Sequence, residues 1–363
     1  MPLIEMVCAM FWLLSFPFSV LLWVQDRPKF SGIAILLYLY CLSYLYSSYI
    51  NHAELIDAIT QVIDIFMLMG VFYSAFKRND DYPIYISIVT LSILTYVNFV
   101  MLFLYPNGIP LQGKNLYLLG GNYNQMGKVY ILGMILYLIY HHRTGLLRYH
   151  LIFFAIVSIL SLLIVGSMTS CIGIIVLVGF SLLPTNKLRK IGLIAFIAVY
   201  FIFHILIVFQ EAEVNNRYIV GFVENILGKD MTFTYRTDIW THSILSIAEK
   251  PMFGYGFQNT DWYLAEIGAI MPHNFVLSTL MKGGYVMMGI VVLLVIASYI
   301  QYHKHPDYTH QMLFIGLWVF LFMMIMEVYT FSLLVIIFQC LAYIHLLKDD
   351  TNNPPEQNDV TKI

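Results

Sequence analysis

The chain is predicted to be an all-α polytopic membrane protein with about 11 transmembrane helices and one large extracytoplasmic loop. Three observations predict it. Of 363 residues, 60% are apolar and 11% charged, against about 25% charged in an ordinary soluble domain. The apolar residues gather into runs near the length of about 20 residues that a helix needs to cross the hydrocarbon. Lysine and arginine concentrate in alternate links between those runs, the pattern of positive-inside sorting.

The runs fall near 6–24, 32–50, 55–76, 83–105, 123–140, 149–166, 168–183, 191–209, 275–301, 311–327 and 329–347. The run at 168–183 is short and follows a turn of only a few residues, which makes it the weakest boundary. One set of links holds Arg27, Lys29, Lys77, Arg78, Arg143, Arg148, Lys187, Arg189, Lys190, Lys304 and Lys348. In the opposite set, the short link NHAELID (51–57) is acidic and 328–330 is neutral. The N-terminus and the long segment 210–273 are therefore expected outside, with the C-terminus cytoplasmic. The chain then divides into spans one to eight (1–209), the large outer loop (210–274), spans nine to eleven (275–347) and a polar, proline-containing tail (348–363) expected to be disordered.

Other bulk features exclude more than they assign. A net charge of −2 offers no concentrated basic face for nucleic acid. Cys8, Cys41, Cys171 and Cys340 all fall in apolar runs and read as small packing residues, not as a disulfide or metal framework. No basic region precedes the first run and no small-residue cleavage site follows it, so it reads as a retained span.

Two outer loops are long enough to build a site. The first, 106–122, leads into NYNQMG, where Asn122 and Asn124 offer amides to sugar hydroxyls or serve simply as turn and cap residues. The second contains TFTYRTDIWTHSILSIAEKP (232–251), which reads as a helix started by Thr232 or Thr234 and closed by Pro251. Arg236, Trp240, Ile244 and Ile247 recur on one face of it. A cation on an apolar face calls for an anion or for snorkelling to headgroups. FGYGF (253–257) follows as a glycine-rich turn, and PHNF (272–275) opens the ninth run. Asn274 suits the N-cap of that run, while His273 is either a loop-backbone contact or an acid–base group held at the boundary.

R-x3-W (Arg236, Trp240), then P-x-F-G-x-G (Pro251 to Gly256), then H-N (His273, Asn274) with a following G-G together resemble the O-antigen ligase and polymerase family. Its members are bacterial membrane glycosyltransferases that act on polyprenyl-pyrophosphate-linked glycans. The pattern covers Arg236 to Gly284, and its specificity lies in the order and spacing of the elements. Two departures stand out. Met168, in GSMTS, occupies a place where members often have arginine, and members commonly have more spans than the eleven counted here.

The resemblance implies a GT-C-like enzyme at the outer face of the bacterial inner membrane, moving a glycan from polyprenyl pyrophosphate to an acceptor sugar hydroxyl. It gives Arg236 the pyrophosphate, through a guanidinium fork that matches phosphate oxygens. It gives His273 activation of the acceptor or stabilisation of the transition state. Arg217 is a candidate second phosphate contact, or a loop salt bridge, and Trp240, Asn274 and Asn124 are candidate substrate contacts. No metal or other cofactor is required, since arginine can stand in for the cation at the pyrophosphate. The implied partners are the lipid-linked oligosaccharide, membrane lipid, and a chain-length regulator and flippase of the same pathway.

One feature stands outside the resemblance. Glu54, Asp57, Gln61 and Asp64 are spaced by 3, 4 and 3 residues and share one helical face. Asp64 is expected well inside the bilayer, where ionisable groups usually face a cavity. The stripe fits a transferase cavity, a proton or cation path, or a lipid-excluded packing face. Glu327 is left open as its neighbour. HKHPDYTH (303–310) has metal-like spacing but reads as a solvated cytoplasmic turn. The expected activity is thus a surface-polysaccharide (O-antigen, capsule or exopolysaccharide) polymerase. A ligase moving finished glycan to a lipid or wall acceptor is the alternative within the family. A transporter or flippase of lipid-linked sugars is the alternative from another class.

Overall fold

The computed structural model describes residues 2–27, 29–111, 114–119, 123–209 and 232–347. Arg217, Asn122 and the tail 348–363, which the sequence singles out, lie outside the described residues. Each of the eleven apolar runs is a helix. The first eight are α1 (Pro2–Asp26), α2 (Gly32–Ile50), α3 (Leu55–Lys77), α4 (Tyr82–Leu104), α5 (Met126–Thr144), α6 (Arg148–Ile164), α7 (Met168–Leu182) and α8 (Asn186–Phe203). Two helices lie in the loop, α9 (Thr232–Glu249) and α10 (Thr260–Ile267). The last three runs are α11 (Phe275–Lys304), α12 (Tyr308–Met323) and α13 (Phe331–Tyr343). A short antiparallel ribbon pairs Ile109–Leu111 with Lys114–Leu116.

Gly32–Ile50, Leu55–Lys77, Tyr82–Leu104, Asn186–Leu206 and Phe275–Lys304 are long and apolar enough to cross a membrane, and four shorter apolar helices accompany them. The chain is a multi-pass membrane protein. Within it, α5 and α12 are buried along most of their lengths, as befits helices apolar on every side. Gly316 of α12 faces Ile135 of α5 so closely that an added Cβ would lie 2.7 Å from its methyl. Small residues of this kind let helix backbones approach in a bilayer.

Several boundaries differ from the apolar runs for local reasons. α8 begins at Asn186, not near 191, because Thr185 accepts a capping bond from Leu188 N–H at 3.2 Å. The charge of Arg189 in its first turn is absorbed by Gln311, Asn186 and the Leu183 carbonyl. α12 starts at Tyr308, where Asp307 caps the His310 N–H at 2.9 Å, and ends at Met323. Residues 324–330 are therefore a link, and Glu327 stands in it rather than in a span.

The links sort into two groups by their contacts. Asp26 with Arg78, Lys29 with Tyr343, and His305 with His345 meet in one group. In the other, Asn51 and Glu54 meet 254–259, Asn124 meets Tyr329, and His273 meets Glu327. HKHPDYTH is solvated as expected at His303, Lys304, Pro306 and Asp307, but its end is buried. His310 is only 2% exposed, and His305 stacks on both His310 and His345 at 4.9 and 4.5 Å between centroids.

One backbone clasp explains two elements of the sequence pattern at once. α11 is broken at Gly284, whose φ of 62° and ψ of −159° are not helical. The break frees the carbonyls of Met281 and Lys282, which accept from Tyr255 N–H at 2.7 Å and Gly256 N–H at 2.9 Å. In return Tyr285 N–H donates to the Pro251 carbonyl at 2.7 Å and Val286 N–H to Met252 at 3.2 Å. P-x-F-G-x-G and G-G are thus two halves of one structure. Any side chain at Gly254 or Gly284 would meet backbone within 2.4 Å, and both residues have the positive φ that glycine adopts at least cost. The glycines serve backbone contact, not a nucleotide.

Candidate active site

The site is built from PHN. Pro272 fixes its own φ, and its carbonyl accepts from the Trp240 indole N–H at 3.0 Å. Trp240 is 1% exposed, so α9 anchors the turn from inside the fold. His273 then takes a left-handed φ of 51°, uncommon for a non-glycine residue and concentrated at functional positions. Asn274 returns to extended backbone and caps α11, its Oδ1 accepting from Leu277 N–H at 3.0 Å. Its amide also donates to the Ile325 carbonyl at 3.0 Å and faces His204 Nε2 at 3.4 Å. With Phe275 N–H donating to the Met324 carbonyl at 2.9 Å, the start of α11 is tied to the link 324–330. Asn274 is fully buried, so it positions its neighbour and does not present itself to a substrate.

This tie brings His273 to a carboxylate 54 residues later. His273 Nδ1 lies 3.1 Å from Glu327 Oε1. Glu327 is 3% exposed, and its other oxygen, Oε2, is buried without a hydrogen-bond partner among the described residues. A buried carboxylate beside an imidazole fixes the tautomer: Nδ1–H donates to the acid and Nε2 keeps its lone pair. The His273 side chain itself remains 16% exposed.

Arg236 approaches the same link. Burial pushes the Tyr329 phenol above its ordinary value, the charge of Glu327 adds to that, and Ser170 and Arg236 pull it back. Arg236 and Glu327 therefore both act on Tyr329. Tyr329 Oη donates to the Asn124 carbonyl at 3.3 Å, and Ser167 Oγ lies 3.4 Å from Asn124 Oδ1 and 3.1 Å from Ser170 Oγ. Asn124 thus reaches the site through the 123–125 turn. Met168 is half exposed next to this polar cluster.

The carboxylate stripe is placed differently. Glu54 is exposed, accepts from Asn259 Nδ2 at 3.0 Å, and donates its own N–H to the Phe257 carbonyl. Asp57 is exposed, Asp64 is half-buried, and Gln61 accepts from Tyr44 Oη at 3.4 Å. Glu54 and Gln61 tie α3 to the loop and to α2, while Glu327 joins the histidine. Lys128 and Gln125, at the start of α5, also belong to the site: Gln125 Nε2 donates to the Val328 carbonyl at 3.3 Å. The visible signal for Gln125 was its place in NYNQ, next to Asn124.

No curated protein matches the chain. Residues 153–294 match the family model of O-antigen ligase, a stretch that contains Ser167, Arg236, Trp240, the Pro251–Gly256 turn, His273, Asn274 and Gly284. Over this stretch the chain is similar to the O-antigen ligase family.

Proposed function

We propose that the protein is a polysaccharide polymerase of the bacterial inner membrane, joining lipid-linked repeat units on its outer face. The observation that carries this reading is the His273–Glu327 pair at 3.1 Å, with Arg236 acting on the adjacent Tyr329. The acceptor sugar hydroxyl gives its proton to His273 Nε2 as its oxygen bonds the anomeric carbon. The bond from that carbon to the pyrophosphate oxygen breaks, and the electron pair leaves with the polyprenyl pyrophosphate. Glu327 holds the imidazole and balances the charge it gains, while the Arg236 guanidinium meets the charge that develops on phosphate. This chemistry uses only side chains of the chain itself.

In this reading all eleven helices span, the N-terminus and 210–274 are outside, and the C-terminus is cytoplasmic. The two contact groups of the links support that arrangement. Glu54, Asp57 and Asp64 would line the approach of the sugar, and Arg217 would add a phosphate contact. A flippase supplying the donor and a chain-length regulator would be its partners. The matched family is that of O-antigen ligase, which favours ligation to a lipid or wall acceptor as the second reading. The product separates the two: polymer still on pyrophosphate lipid marks the polymerase, and polymer on a new acceptor marks the ligase.

In cells that depend on this chain for polymer, Arg236→Ala and His273→Ala should each abolish high-molecular-weight product. Single repeat units should remain on the carrier. Normal polymer from both variants would overturn the assignment.

A further inference from the structure

The leaving group of the proposed reaction carries two phosphates, and among the described residues Arg236 is the one arginine proposed to meet that charge. Lys128 stands in the first turn of α5 (Met126–Thr144), half-buried. A helix N-terminus is already positive, so a cation there is disfavoured. Its Nζ donates to the neutral Gln125 Oε1 at 3.0 Å. Among the described residues no carboxylate lies within ion-pair distance of it. A continuous series of contacts runs from this ammonium to the histidine. Gln125 Nε2 donates to the Val328 carbonyl at 3.3 Å, Val328 N–H to Glu327 Oε1 at 3.3 Å, and Glu327 meets His273. Arg236 acts on the next residue of the same link, Tyr329.

We infer that Lys128 is a further cation of the pyrophosphate site, meeting the link 327–329 together with Arg236. The inference rests on the transferase reading for the identity of the anion. A lysine supplies a compact point charge with three donors, suited to a phosphate that shifts as the bond breaks. Gln125 would hold that ammonium in place until the anion arrives.

The test uses the full chain in detergent, with inorganic pyrophosphate as the probe, and then in proteoliposomes with a lipid-pyrophosphate donor. Lys128→Gln should weaken pyrophosphate binding, read by calorimetry, on the order of tenfold or more, the scale of one lost charge-assisted hydrogen bond. It should raise the donor KM by a similar factor, with a smaller change in kcat. Lys128→Arg should retain most of the binding, and both variants should keep the wild-type thermal midpoint within a few degrees. If Lys128 only neutralises Glu327, the defect of Lys128→Gln will vanish in a Glu327→Gln background, and the inference is then wrong. Unchanged pyrophosphate binding in Lys128→Gln, or none in the wild type, also overturns it. Binding that depends on Lys128 without any glycan transfer would sink the polymerase reading and leave this one standing.

Discussion

The Nδ1 atom of His273 lies 3.1 Å from Oε1 of Glu327, and the carboxylate is almost wholly buried. An acid in that position serves an imidazole in two ways: it fixes which nitrogen carries the proton, and it stabilises the imidazolium that forms. Glu327→Gln keeps the shape and removes the charge. It should lower kcat by about 10²–10⁴-fold, the scale of general acid–base assistance, with the donor KM little changed. Initial rates with a lipid-pyrophosphate donor decide it, and an unaltered kcat would leave the pair without a catalytic purpose.

Trp240 acts one step further out. Its indole N–H holds the carbonyl of Pro272, directly before the left-handed His273. Trp240→Phe preserves most of the buried ring and loses one hydrogen bond, about 1 kcal/mol. The expected result is a lowered turnover with the helical content by circular dichroism unchanged. Full turnover in Trp240→Phe would show that the His273 turn holds without the indole.

Gly284 and Gly289 lie in the same helix and should respond oppositely to alanine. A Cβ at Gly284 would fall 2.4 Å from the Met252 carbonyl carbon, at a φ of +62°. A Cβ at Gly289 meets nothing within 4 Å. Gly284→Ala should cost well over 1 kcal/mol, since alanine is penalised where φ is positive, and should open the clasp to 251–256. Gly289→Ala should be neutral or stabilising by about 0.5–1 kcal/mol. Thermal midpoints in one detergent compare them, and equal midpoints would contradict the clasp.

The histidine group at the other set of links gives a pH dependence. Burial, then the neighbouring His310 and Lys304, hold the His305 imidazole below its ordinary value, against the opposing pull of Asp307. With the folded value below the unfolded value of about 6.5, the unfolded state binds more protons in between. Stability from this site is therefore whole above about pH 6.5 and is lost as the pH falls. His345 stacked on His305 would add repulsion once both are protonated. Amide protection factors across 303–310, with the intrinsic pH dependence of exchange removed, should fall between pH 7.5 and 5.5 in wild type and much less in His305→Gln. An equal loss of protection in both would assign the effect elsewhere.

The helices were legible because apolar runs of spanning length leave few alternatives, and PHN was legible because each residue has a distinct backbone preference. Asn274 caps α11 as its type predicts. What could not be seen was long-range. Nothing in the spacing of Pro251–Gly256 and Gly283–Gly284 says that one turn supplies the hydrogen bonds the other helix break leaves open. Glu327 looked like a residue near the end of a span and became the partner of His273 because α12 stops early at Met323. The stripe at 54–64 was legible as a face, but its neighbours, Asn259 and Tyr44, come from elements that periodicity cannot pair. HKHPDYTH was legible as a turn but not in its packing: His305 stacks on His345, 40 residues further on.

The central claim is glycan transfer from a lipid pyrophosphate at the His273–Glu327 site. The most direct measurement is purified protein in proteoliposomes given one defined lipid-pyrophosphate repeat unit, with the products resolved by size. A ladder of longer glycans from wild type, absent with His273→Ala, is the predicted result. Unextended substrate with wild type, or the same ladder from His273→Ala, would contradict it.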